Sequence, residues 1–278
     1  ELAQASSGLL YGSTSANGAN LFGTLYSFNL TGNVYTNLHD METGTGTIPL
    51  GRLIQASNGL LYGLTDKGAL NDGGVLYSLN PVGNVYTVEV ELGTKSFADA
   101  WSGLIEESTG NLYGVTNDGG TAGSGSLFKF VISTSTLSEA VAMSFAQGAA
   151  PKGRLTLGTN GLFYGVTTAG GTSGTGIIFS FNSTTNTLTR LADFNATLGT
   201  SPLGTMVESG GKFYGLCNSG GTAGFGSLFE FDPAGPTLTK KQDLNATTGH
   251  SPLAGLMKAS NGKLYGTTTA GGANGLGT

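Results

Sequence analysis

Residues 155–191 read LTLGTNGLFYGVTTAGGTSGTGIIFSFNSTTNTLTRL. Leu155 to Leu157 is a brief apolar run, closed by the turn formers Thr159-Asn160-Gly161. Leu162 to Thr167 is a second run, rich in aromatic and β-branched residues. Ala169 to Gly176 is a glycine-rich link. Ile177 to Phe181 alternates apolar and polar, Asn182 to Asn186 is another turn, and Thr187 to Leu191 alternates again, the period of a strand. The stretch therefore reads as four short strands. No helical period runs through it, and each glycine opposes a helix by nearly 1 kcal/mol.

The same pattern recurs along the chain. Tyr-Gly stands at Tyr11, Tyr62, Tyr113, Tyr164, Tyr214 and Tyr265, with steps of 51, 51, 51, 50 and 51 residues. Twelve positions later comes a glycine: Gly23, Gly74, Gly125, Gly176, Gly226 and Gly277. Fifteen positions later comes an aromatic: Tyr26, Tyr77, Phe128, Phe179 and Phe229. Further columns hold Pro49, Pro151, Pro202 and Pro252, with Ala100 in the odd place, and Leu53, Leu104, Leu155, Met206 and Leu256.

Four strands in about 50 residues is the size of one propeller blade. A four-stranded meander has two apolar faces to cover, and stacking blades about an axis covers both. The expectation is an all-β, single-domain β-propeller over residues 1–278, with six repeats of about 51 residues. Six full units would need about 28 residues more than the chain has, which leaves the sixth blade half present. The strand around Tyr265 would then expose unpaired backbone, a template for a strand from downstream sequence or from another chain.

The motifs Gly262-Lys-Leu-Tyr-Gly-Thr-Thr-Thr-Ala-Gly-Gly272 and Gly226-Ser-Leu-Phe-Glu-Phe-Asp232 resemble the Gloeo/Verruco repeat, from about Gly8 to Gly277. That family is distantly kelch-like and occurs in secreted or surface proteins of bacteria. The resemblance implies a propeller outside the cytoplasm and carries no catalytic signature. The first copy has Asn17-Gly18 and the second Gly68-Ala69 where later copies have a double glycine, so those two loops are expected to differ in shape.

Composition narrows the chemistry. Twelve basic and seventeen acidic residues give a net charge of −5, which disfavours a nucleic-acid partner. No apolar run is long enough for a membrane-spanning helix. One cysteine, Cys217, and two histidines, His39 and His250, sit in unrelated contexts and suggest neither a metal site nor a cofactor. Cys217 falls in the column of Thr14, Thr65, Thr116, Thr167 and Thr268 and reads as a small buried replacement. Asp66, Asn117, Asp118 and Asn218 read as turn formers rather than calcium ligands. Trp101 breaks the column of Leu50, Lys152, Leu203 and Leu253; packing is the first reading, and stacking on a sugar ring the second. Four Asn-x-Thr sequons, at Asn29, Asn182, Asn195 and Asn245, fall in turns.

In a kelch-like blade the first strand lines the central channel. Its polar column runs Gln4, Gln55, Glu106, Leu157, Glu208 and Lys258, and the column three positions earlier includes Arg52 and Arg154. Gln55, Glu106, Glu208, Lys258, Arg52 and Arg154 are therefore the candidate ligand-binding residues at the channel mouth, with none assigned to catalysis. The favoured function is a non-catalytic secreted or cell-surface scaffold for binding, adhesion or assembly, with a protein or polysaccharide partner and self-association through the open blade. The alternatives are a lectin-like propeller and a polysaccharide lyase or hydrolase built around Arg52, Arg154, Glu106, a tyrosine or His39.

Overall fold

The computed structural model describes residues 2–278 apart from Ser96 and Thr109. The chain divides into two compact units, Glu1–Ala142 and Met143–Thr278. The first holds three four-stranded antiparallel sheets whose strands pair in chain order. They are Ala3–Gln4, Leu10–Thr14, Thr24–Asn29 and Val34–Asp40; then Thr47–Gln55, Leu61–Lys67, Val75–Asn80 and Val85–Glu91; then Ile105–Glu106, Asn111–Thr116, Ser126–Val131 and Thr136–Ala142. The second unit opens with Thr156–Leu157, Phe163–Val166, Ile177–Asn182 and Thr187–Asp193. Repeat five follows with Val207–Ser209, Lys212–Ser219, Ser227–Asp232 and Thr237–Asp243, and repeat six with Met257–Lys258 and Leu264–Tyr265.

Pairing also begins upstream of the predicted first strands. Thr47 and Pro49 pair with Lys67 and Thr65, and Thr200 and Pro202 pair with Ser219 and Cys217, each separated by an irregular stretch from the rest of the first strand. The alternating pattern does not show this arm, because a left-handed residue interrupts it: Ile48 in repeat two and Ser201 in repeat five.

The Tyr-Gly dipeptide has two tasks. Its tyrosine and its glycine point to opposite faces of the sheet. Across the ladder Gly63 faces Tyr77, Gly165 faces Phe179 and Gly215 faces Phe229. A Cβ on Gly165 would lie 2.4 Å from the ring of Phe179. The aromatic thus lies over the glycine and fills the space a side chain would take. The glycine twelve positions after each tyrosine is constrained differently. Gly176 has φ +101°, and its Cβ would strike the Thr167 carbonyl oxygen at 2.0 Å.

Within each unit, the tyrosine face of one repeat meets the aromatic face of the next. Tyr11 and Leu25 pack with Leu53, Tyr77 and Leu79. Tyr62 and Leu64 pack with Leu104, Phe128 and Phe130. In the second unit, Tyr164, Val166 and Phe194 pack with Phe213, Phe229 and Phe231. Each such side chain contributes about 1.5–3 kcal/mol on full burial. In all five sheets a β-bulge falls just before the third-strand aromatic, at Leu25/Tyr26, Leu76/Tyr77, Leu127/Phe128, Ile178/Phe179 and Leu228/Phe229. Bulges increase strand twist at a fixed place.

The glycine-rich loop of repeat one is more like the later copies than its sequence suggested. Asn17 and Gly18, at φ +66° and +81°, take the left-handed pair occupied by Gly170 and Gly171, at +82° and +77°. Asparagine tolerates this region. The loop of repeat two does differ: Ala69, at φ 58° and ψ −159°, leaves the left-handed helical region, a short 3₁₀ turn over Leu70–Asp72 follows, and Asp72 accepts Gly68 N–H at 2.7 Å. A carboxylate at the end of the fourth strand then holds the loop. Asp40, Asp193 and Asp243 accept the backbone N–H of Ala19, Thr172 and Thr222 at 2.9, 2.9 and 2.8 Å. Repeat three has Ala142 in that column, and Glu139 reaches Thr121 N–H instead, at 3.1 Å.

The sequons are turn chemistry as well. Asn29, Asn182, Asn195 and Asn245 each accept, through Oδ1, the N–H two residues on, at Thr31, Thr184, Thr197 and Thr247. This is the Asx turn.

Candidate functional site

The six candidate residues lie on or beside first strands, three in each unit, and the side chains of three of them, Gln55, Glu106 and Glu208, engage a neighbouring repeat. Gln55 Oε1 accepts Ser6 N–H at 2.7 Å, and its Nε2 donates to the Gly59 carbonyl at 3.0 Å. Glu106 accepts Ser57 N–H at 2.9 Å and the Ser57 hydroxyl at 2.6 Å. Glu208 accepts Thr159 N–H at 3.0 Å and the Thr159 hydroxyl at 2.8 Å. In each case the acceptor sits 49 residues after the donor and fastens the first hairpin turn of the preceding repeat.

Arg52 follows Gly51, whose Cβ would lie 2.7 Å from the Ser102 backbone. Adjacent first strands are therefore in backbone contact there. Arg52 Nε is buried without a hydrogen-bond partner. Arg154 N–H donates to Thr205 Oγ1 at 3.1 Å, linking repeats four and five. Lys258 is exposed on Met257–Lys258. Within the first unit, Glu106 is therefore tied to Ser57 and Gln55 to Ser6, and in the second Glu208 is tied to Thr159. His39 lies elsewhere, its ring stacked on Tyr86 with centroids 4.0 Å apart, and burial lowers its pKa.

Cys217 is fully buried, and burial pushes its thiol up to about 12. The threonines of its column act as hubs. Thr65 Oγ1 donates to the Lys67 carbonyl at 3.1 Å and accepts Val75 N–H at 2.9 Å, and Thr167 does the same with Ala169 and Ile177. Sulfur is a weak partner in both roles. Cys217→Thr is therefore expected to stabilise the protein by about 1 kcal/mol. Thermal unfolding of the two forms checks this, and a lower midpoint for the threonine form contradicts it.

Repeat five departs most from its neighbours, and the sequence alone did not reveal why. In other repeats an asparagine in the first hairpin turn donates to the tyrosine hydroxyl: Asn58 to Tyr62, Asn160 to Tyr164 and Asn261 to Tyr265, at 2.9, 2.8 and 3.0 Å. Repeat five is one residue shorter and has Gly210-Gly211 there. Tyr214 donates instead to Glu230 Oε2 at 2.9 Å. Lys212 pairs with Glu230 Oε1 at 2.9 Å and Lys241 with its other oxygen at 3.4 Å. Lys212 first, then the Tyr214 hydroxyl, holds the Glu230 carboxyl down at about 2. The position filled by Ser27, Ser78, Lys129 and Ser180 in other repeats is thus an anion in repeat five, where it partners the tyrosine hydroxyl.

Among the described residues, no three His, Cys, Asp or Glu side chains gather as metal ligands. Asn218 Nδ2 donates to the Pro252 carbonyl at 3.1 Å, and Asp66 accepts the indole N–H of Trp101 at 3.0 Å. Among the described residues, no helix is long and apolar enough to cross a membrane.

The family model described as the Gloeobacter/Verrucomicrobia repeat matches residues 1–157 and 100–278. No curated protein matches the chain in sequence. Among solved structures, the extracellular domain of a hybrid two-component system of B. thetaiotaomicron is similar at TM-score 0.62 and 12% identity, over 95% of this chain and 30% of that one. TolB from Acinetobacter baumannii is similar at TM-score 0.55 and 12% identity, over 88% of this chain and 54% of that one. A TolB-like structure from Agrobacterium tumefaciens gives 0.51 and 15%, over 87% and 80%. The chain spans less than a third of the first structure's length and about half of the second's. At these identities the likeness shows the fold, which is β-propeller-like.

Proposed function

Because the chain belongs to the Gloeobacter/Verrucomicrobia repeat family, we propose that it is a non-catalytic propeller scaffold that works outside the cytoplasm through binding and assembly. The observation that carries this reading is the use made of its acidic first-strand residues. Glu106 and Glu208 each commit their carboxylates to the turn of the preceding repeat, at Ser57 and Thr159. A glycosidase mechanism needs two carboxyl groups facing one bond. The extracellular setting of one structural relative and the family match agree with an extracytoplasmic place.

The assembly part of this reading concerns repeat six, whose outer edge can take a strand from downstream sequence or from another chain. Leu264–Tyr265 pairs with Met257–Lys258 alone among the described residues, and Tyr265 and Met257 are exposed. Such an edge accepts a further strand.

Turnover assays test the reading. Incubation with a panel of plant, algal and bacterial polysaccharides is expected to release no reducing ends and no unsaturated products, and Glu106→Gln and Arg154→Ala are expected to shift thermal unfolding only. Turnover abolished by either substitution would replace the scaffold with a polysaccharide-active enzyme.

A further inference from the structure

The first unit carries one tryptophan, and it is the sole tryptophan of the chain. Trp101 is 40% exposed, an unusual state for a side chain this large. Its ring is nevertheless held. The indole N–H donates to Asp66 Oδ1 at 3.0 Å, and Asp66 is only 8% exposed. The backbone beneath it is fixed too. The Asp99 carbonyl accepts N–H bonds from both Trp101 and Asn117, at 3.0 and 3.1 Å. Asp99 itself is left-handed, at φ +54°.

Polar groups border this platform. Lys67 Nζ lies 3.1 Å from Asp99 Oδ1, and both side chains are partly open to solvent. Asn117 Oδ1 is buried and has no hydrogen-bond partner. The patch therefore combines an anchored aromatic surface, an ammonium donor and a carboxylate acceptor. It occurs in repeat three because three columns change together. Trp101 stands where other repeats have Leu50, Lys152, Leu203 or Leu253, Ala100 stands where they have proline, and Asp99 supplies a carboxylate where they have Ile48, Ala150, Ser201 or Ser251.

We propose that Trp101, with Lys67 and Asp99 at its edge, is a binding subsite for a neutral saccharide. A pyranose ring has an apolar C–H face that lies flat on an aromatic surface and a rim of hydroxyls that both donate and accept. The indole takes the face by burial of apolar area. The Asp99 carboxylate accepts from one hydroxyl, and the Lys67 ammonium donates to a neighbour. A quaternary ammonium ligand is the competing occupant, since the Asp66 and Asp99 carboxylates outnumber Lys67 here, and choline separates the two. The subsite is independent of the scaffold reading: the protein can bind sugar with or without turnover, and each is measured separately.

Because Trp101 is the sole tryptophan, its fluorescence reports this site directly. The full chain is titrated with cellohexaose, mannohexaose, xylohexaose and chitohexaose, with choline as the cationic comparison. The expected result is a saturable change in tryptophan emission with at least one hexasaccharide and protection of the indole from acrylamide. Calorimetry is then expected to show at least about tenfold weaker binding for Trp101→Leu and for Lys67→Met. Leucine is the residue three other repeats hold in this column, so that variant tests the platform without a new cavity, and its unfolding midpoint confirms folding. No saturable change with any of the four sugars, a response to choline alone, or undiminished sugar binding by Trp101→Leu would each overturn the proposal.

Discussion

Gly165→Ala is expected to cost about 2–3 kcal/mol, the upper part of the range for overfilling a packed core. The added methyl falls 2.4 Å from the tip of the Phe179 ring and 2.8 Å from a second ring atom. Phe179 has little room to withdraw, because its side chain is fully buried. Gly266 provides the comparison. It occupies the same column, yet its Cβ would meet only the mobile tips of Leu256 and Leu216, at 2.8 and 3.4 Å. Gly266→Ala should therefore change stability by less than about 0.5 kcal/mol, as for most substitutions away from packed features. Chemical denaturation of both variants decides the matter. Equal losses would mean that the glycine is there for its backbone and that the aromatic lid is incidental.

That contrast also shows which parts of the molecule were legible in its sequence. The aromatic and glycine columns could be read because each repeats its meaning in every copy: Tyr62, Tyr113 and Tyr164 are all buried, as are Tyr77, Phe128 and Phe179. The strands follow from these columns almost residue for residue. The left-handed residue beside each proline was not legible. Nothing about Ile48, Ser201 or Ser251 as residue types announces a positive φ, which for a β-branched isoleucine is an outlier. Its reason is tertiary. The N–H of Ile48 bonds to the Phe22 carbonyl of the previous repeat, and the N–H of Ser251 to that of Phe225. The link between Asp66 and Trp101 was hidden in the same way, by 35 residues of intervening sequence.

The polar first-strand column was visible, but its use was not. Its signal is a pairing at a distance of 49 residues: Ser6 with Gln55, Ser57 with Glu106 and Thr159 with Glu208. A search within one repeat cannot find it, because donor and acceptor belong to different copies. Read between copies, it is a latch that fixes how far one sheet is rotated against the next. The Thr156 hydroxyl, donating to the Met206 carbonyl at 2.6 Å, adds to the same seam in the second unit.

Glu208→Ala is expected to destabilise the protein by about 1–2 kcal/mol. A hydrogen bond to a charged group contributes roughly 1.5–3 kcal/mol, and solvent at this exposed seam reduces that figure. Thr159 loses acceptors for both its N–H and its hydroxyl in one substitution. Glu208→Gln keeps one acceptor oxygen and should lose about half as much. A double-mutant cycle with Thr159→Ala isolates the hydroxyl contact and is expected to give a coupling of about 0.5–1 kcal/mol. Glu106→Ala should behave alike through Ser57, and the two losses should add, since the pairs share no residue. In an array of repeats stability is a sum of repeat and interface terms, so a latch acts on the interface term alone. Zero coupling in the cycle would show that the carboxylate bonds form at no net gain, and would free Glu106 and Glu208 for a ligand.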